Sequence, residues 1–98
     1  MSRSVRFHPA ALQDADGAAA WYAERSTRAA LRFLDELDRL IELVAISPDL
    51  FQNFDTDLRR ALFRRFPYYL VFRADGAHIT VLAVAHGKRR PNFWRDRT

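Results

Sequence analysis

The chain has 98 residues, 49% of them apolar, with eight Phe, three Tyr, two Trp and a formal net charge of +4. That length sets a single domain over residues 1–98 as the expectation, with apolar content enough for one modest core. With no Cys, disulfides and thiolate metal sites are excluded. No apolar run approaches the roughly 20 residues that span a bilayer, and no apolar stretch follows Arg3 and Arg6 as a signal peptide requires. A cytoplasmic protein without membrane contact is expected.

Charge is divided along the chain. Residues 1–58 carry six Arg against ten Asp and Glu, and residues 59–98 carry ten Lys and Arg against two Asp. A basic back half of this kind points to nucleic acid or to an acidic protein partner. A merely solvated surface is the plainer alternative.

Val5 to His8 reads as a short strand that Pro9 ends, and Pro9 suits the first turn of a helix, where its missing N–H costs nothing. Leu12, Ala15, Ala19 and Tyr22 recur at helical spacing, with Asp14 and Asp16 placed where the helix dipole favours anions. Glu24 to Thr27 breaks this helix, and Ser26 is a fitting N-cap for the next. The second helix carries the stripe Ala30, Phe33, Leu34, Leu37, Leu40, Ile41 and Val44. Asp35 and Arg39 are spaced for an i,i+4 pair, and Ser47-Pro48 stops the helix. So short a connection makes the two helices an antiparallel hairpin.

Asp49 to Asp57 reads as a loop, with Phe51 and Phe54 plugging the domain edge. The period then changes to two. Leu58 to Arg65 and Tyr68 to Ala74 are strands, and Asp75-Gly76 is a hairpin signal. His78 to Ala85 is a third strand, with Ile79, Val81, Ala83 and Ala85 alternating against Thr80, Leu82 and Val84. Both of its faces are partly apolar, so it is central. The order β-α-α-β-β-β gives an α+β fold, a helical hairpin packed on a small antiparallel-rich sheet.

The candidate functional residues cluster late. Arg60 and Arg64 share one face of their strand, and Arg59 and Arg65 the other. Edge-strand charges also block aggregation, which is the plainer role. The central strand then runs into His86-Gly87-Lys88-Arg89-Arg90-Pro91, followed by Phe93, Trp94 and Arg95. Three consecutive cations at the end of a strand repel one another, which makes sense opposite an anionic or acidic partner. His86 has the proton affinity of a general acid or base, but no carboxylate lies nearby in sequence to orient it. Phe93 and Trp94 either stack on bases or cover the sheet edge and pin the tail. Three scattered His make no metal-ligand spacing, and three isolated Gly make no phosphate loop. No cofactor is expected.

The chain resembles the RelE/ParE superfamily of type II toxin–antitoxin toxins, closer to the ParE-like branch. The resemblance covers nearly its whole length. It rests on the element order, on Arg65-Phe66-Pro67-Tyr68-Tyr69-Leu70-Val71-Phe72-Arg73, and on Ile79 to His86 leading into Gly87-Lys88-Arg89-Arg90-Pro91. It implies a toxin wrapped and neutralised in a hetero-oligomer by a cognate antitoxin with an acidic segment. RelE-like members cut mRNA on the ribosome, which needs a base for the 2′-OH and cations for the phosphate. Carried over here, that set would be Arg60, Arg64, Tyr69, His86 and Arg89. ParE-like members poison DNA gyrase instead. Tyr69 stands where RelE-like enzymes commonly place an Arg, and Phe93 and Trp94 where a Tyr would act, which favours the ParE-like branch. The target-binding residues would then be Arg60, Arg64, Lys88, Arg89, Arg90, Trp94 and Arg95. A non-toxic binding module on the same fold is the third reading.

Overall fold

A computed structural model describes residues 2–97. Strand β1 (Ser4–Phe7) leads into helices α1 (Pro9–Arg25) and α2 (Thr27–Ile46). A 3-10 turn (Pro48–Leu50) follows, then β2 (Gln52–Asp55), β3 (Leu58–Leu62), β4 (Tyr68–Asp75) and β5 (His78–His86). The sheet order is β1-β5-β4-β3-β2. β1 pairs parallel with β5, and every other pairing is antiparallel. The expected α+β layering of a helical hairpin on an antiparallel-rich sheet is what forms.

Ser26 serves both helices. Its N–H donates to Tyr22 O at 2.7 Å and closes α1, while its Oγ accepts from Ala29 N at 3.1 Å and opens α2. A single residue can do both because its own backbone is extended. His8 opens α1 in the same manner, its Nδ1 accepting from Ala10 N at 3.0 Å.

The helices pack differently from the pattern of large apolar residues. On α1 the buried positions are Ala11, Ala15 and Ala18, while Leu12 is half exposed. Small side chains at these spacings let the helix lie close on β5, and hydrophobicity alone ranks Leu over Ala. On α2, Phe33, Leu37, Leu40 and Val44 are buried, but Leu34 is 39% exposed on the flank of the stripe. Phe33 anchors an aromatic cluster, stacked on Phe63 at 5.2 Å with Phe66 and Tyr68 edge-on to it. Leu37→Ala is therefore expected to cost about 2–5 kcal/mol. Leu34→Ala should cost under about 1 kcal/mol. Urea denaturation of both variants checks the helix register.

Three strand expectations change. The stretch read as a loop contains β2, which pairs with β3. β3 ends at Leu62 rather than at Arg65. The chain turns there because Phe63 N bonds Tyr68 O, and Glu36 takes the backbone N–H groups of both Arg64 and Arg65. Arg64 therefore does not share a sheet face with Arg60. Finally, the strict alternation expected in β5 breaks between Val81 and Ala83, where the register with β4 shifts at Val71/Phe72. This bulge leaves Ile79, Val81 and Val84 under the helices and Leu82, Ala83 and Ala85 on the opposite face. The Asp75-Gly76 hairpin forms as expected, with Gly76 at φ 58, a conformation that suits Gly.

Candidate target-binding surface

β1 has four residues and β5 has nine. The pairing stops at Phe7 opposite Val81, so β5 runs on with an unpaired edge. Two side chains cover it. Asp14 of α1 accepts from Val84 N at 3.2 Å, and the Arg97 guanidinium donates to Leu82 O at 3.0 Å. The two also bind each other, with side chains only 8% and 14% exposed. This pair latches the C-terminal segment onto the sheet. Neither partner stood out in the sequence. Asp14 read as a dipole-favoured anion, and nothing local distinguishes Arg97 from the other tail arginines.

The latch fixes Arg89 as well. Its guanidinium lies 3.3 Å from Asp14 and 3.5 Å from the Phe93 ring centroid. Asn92, at φ 68, lets the chain turn back, and Asn tolerates that backbone better than most residues. Trp94 then lands on the helix-free face of the sheet among Leu58, Val71, Leu82, Ala83 and Ala85. It meets Phe54, Tyr69 and Phe93 edge-on, at centroid distances of 5.9, 6.1 and 5.1 Å. At 3% exposure Trp94 is a packing residue, so it leaves the expected target-binding set. It covers the sheet face rather than the sheet edge.

The structure brings Arg60, Tyr69 and Trp94 together on that face. Arg60 lies 5.5 Å from the Tyr69 ring and donates to Gln52 Oε1 at 3.0 Å. Arg64 stands apart in the β3–β4 turn beside α2. Lys88, Arg89, Arg90 and Arg95 are exposed along the segment after β5. Among the described residues, no carboxylate pairs with Lys88, Arg90 or Arg95. The pairing expected between Asp35 and Arg39 is replaced by a contact of Arg39 with Glu36 at 3.9 Å.

His86 ends β5 with its Nδ1 accepting from Lys88 N at 3.0 Å. Its ring lies edge-on to Tyr68 at 5.0 Å. Burial pushes the Tyr68 phenol above its ordinary value, and the nearby charges of Tyr22 and Asp14 push the same way. Burial also raises Tyr22. Both phenols hold their protons firmly at neutral pH. Among the described residues, no group of three or more His, Asp or Glu converges to hold a metal ion. No helix there is long and apolar enough to cross a membrane.

Comparison with known proteins agrees with this architecture. Toxin ParE2 of Mycobacterium tuberculosis (strain CDC 1551 / Oshkosh) is 29% identical over 100 residues, covering 94% of this chain and 89% of that protein. Toxin ParE2 of Mycobacterium tuberculosis strain ATCC 25618 / H37Rv matches with the same figures. A solved structure described as the chromosomal ParDE TA system from P. aeruginosa superposes with a TM-score of 0.75 at 17% identity, covering 87% of this chain and 96% of that one. At that identity the likeness shows the fold. The family described as ParE toxin of type II toxin-antitoxin system, parDE, matches residues 5–91. The chain belongs to the ParE toxin family of type II toxin–antitoxin systems.

Proposed function

We propose that this toxin arrests growth by poisoning DNA gyrase through the exposed cations that follow β5, and that a cognate antitoxin with an acidic segment neutralises it in a hetero-oligomer. The observation that carries the reading is a contrast within one surface. Lys88, Arg90 and Arg95 are exposed and unpaired by any described carboxylate. Of the groups that a ribonuclease would use, His86, Tyr69 and Arg89 are engaged in holding the fold, and Arg64 stands apart from them in the β3–β4 turn. His86 Nδ1 already accepts a backbone N–H. Tyr69 is packed between Trp94 and Arg60. Arg89 is held by Asp14 and Phe93. Cleavage needs a free base and a cation cradle converging on one phosphate, whereas docking needs only an exposed complementary surface. An acidic antitoxin segment would meet the same cations and, by binding only the folded state, stabilise it.

Expression in cells tests this. The wild-type chain should arrest growth and trigger DNA-damage signalling without loss of mRNA, and co-expressed antitoxin should relieve both. His86→Gln, which keeps an acceptor near Lys88 N, should leave toxicity within about threefold, since a lost acid or base costs roughly 10²–10⁴-fold. Rapid mRNA loss that His86→Gln abolishes would instead support the ribosome-dependent endonuclease.

A further inference from the structure

The division of charge along the sequence hides a different division in space. Tyr68 pairs with His86, and Gly87 N bonds Pro67 O at 2.7 Å. The β3–β4 turn and the segment after β5 therefore meet at one end of the sheet. Phe66 of that turn lies 5.0 Å from Tyr22, and Glu36 bonds the N–H groups of Arg64 and Arg65. These contacts bring the α1–α2 turn to the same end. Three turns from distant parts of the chain thus form one pole. The α1–α2 turn and the start of α2 supply Arg25, Arg28 and Arg32, all exposed. The β3–β4 turn supplies Arg64 and Arg65, and the segment after β5 supplies Lys88, Arg89 and Arg90, again all exposed.

These eight cations outnumber the acids around them, which include Asp14, paired with Arg89, and Asp35, exposed in the cleft it lines with Arg32, Arg64 and Arg65. The Glu36 carboxylate fills the pair of successive backbone N–H groups in the β3–β4 turn. Glu24 lies 3.9 Å from Arg25. The opposite pole holds the Asp55–Leu58 turn and the Asp75–His78 hairpin, where Arg73 and Arg59 are paired with Asp57 and Asp49. The acidic front half of the sequence therefore contributes three cations to the basic end.

We infer that this basic pole binds the phosphate backbone of duplex DNA. Its charge fits that partner, with which the acidic antitoxin segment of the proposed function would compete at Lys88 and Arg90. Protein interfaces centre on an apolar patch with a charged rim, while nucleic-acid interfaces are more polar and far more positive. The aromatic groups at the pole select duplex over single strand. The Arg25 guanidinium sits 3.6 Å from the Trp21 ring centroid, and Arg89 sits 3.5 Å from that of Phe93. Rings covered by guanidinium groups are not free platforms for unstacked bases. The same stacking holds both guanidinium groups in place, each about half exposed although Arg25 also donates to Trp21 O and Arg89 to Asp14. Contacts to the phosphate backbone carry no sequence information, so binding through them is independent of sequence.

The inference stands apart from the gyrase reading, because its test contains no topoisomerase. Fluorescence anisotropy of the full chain with a labelled duplex of about 20 base pairs should show binding that weakens with salt, with a log–log slope of about −4 or steeper. Arg28→Glu with Arg32→Glu should weaken binding at least about tenfold and reduce the slope by about 2. Arg64→Glu with Arg65→Glu should do the same and gives an independent arm should either pair misfold. Arg3→Glu with Arg73→Glu changes net charge equally at the other pole and should leave affinity nearly unchanged. The inference is overturned by no binding at low salt, by equal losses in the control pair, or by tighter binding to a single strand of the same length. Binding to polyglutamate but not to the duplex also overturns it and assigns the pole to an acidic protein.

Discussion

Asp14→Ala is expected to destabilise the toxin by about 3 kcal/mol, the lower end of the range for removing one member of a buried ion pair, because Asp14 and Arg97 are largely but not fully buried. Three consequences act together. Arg97 loses its partner while remaining only 14% exposed. Val84 N loses its acceptor on the unpaired edge of β5. Arg89 loses the carboxylate that holds it on Phe93. A buried donor left unsatisfied costs about 1–3 kcal/mol by itself. Asp14→Asn keeps an acceptor for Val84 N without the charge, so it should fall between wild type and Ala. Urea denaturation gives the stability. A second readout reports the latch itself. Trp94 is buried and Trp21 half exposed, so in a Trp21→Phe background the remaining emission belongs to Trp94. It should shift to the red in Asp14→Ala before global unfolding. An unshifted emission and a loss below about 1 kcal/mol, the size of a surface pair, would mean that the tail is held by apolar packing alone.

Lys88→Glu combined with Arg90→Glu is expected to raise the toxin level needed for growth arrest by about 100-fold or more. If these cations dock an anionic surface as proposed, each change would replace an attractive contact with a like-charge clash, which costs several kcal/mol. Both side chains are exposed and pair with no described carboxylate, so stability should stay within about 0.5 kcal/mol. Arg89 is the poorer choice for this test, because Arg89→Glu would set an anion against Asp14 and disturb the latch. Growth curves at graded expression, with melting temperatures of the purified variants, separate lost contact from lost fold.

The helical hairpin was legible in the sequence because its signals are local. Pro9, the Ser26 cap and the Phe33 to Val44 stripe act within a few residues of themselves. The end of β3 was not legible, because Glu36 stops it from 28 residues away. The bulge at β5 escaped for a related reason. Alternation fixes the face of each residue only while register is kept, and here it shifts against β4. β2 carries Gln52, Asn53 and Asp55, poor strand formers that only pairing with β3 holds extended. At the surface, the cations after β5 were visible as a run, yet their division into free and engaged groups was not. Lys88 and Arg90 are free while Arg89 is held, and only Asp14, 75 residues away, makes that difference.

Supercoiling by purified DNA gyrase, assayed with the full toxin, tests whether gyrase is the target. The wild-type chain should inhibit supercoiling and accumulate cleaved DNA. Antitoxin should reverse both effects, and Lys88→Glu with Arg90→Glu should show neither at matched concentration. Undiminished supercoiling alongside cleavage of ribosome-bound mRNA by the same preparation would contradict gyrase as the target.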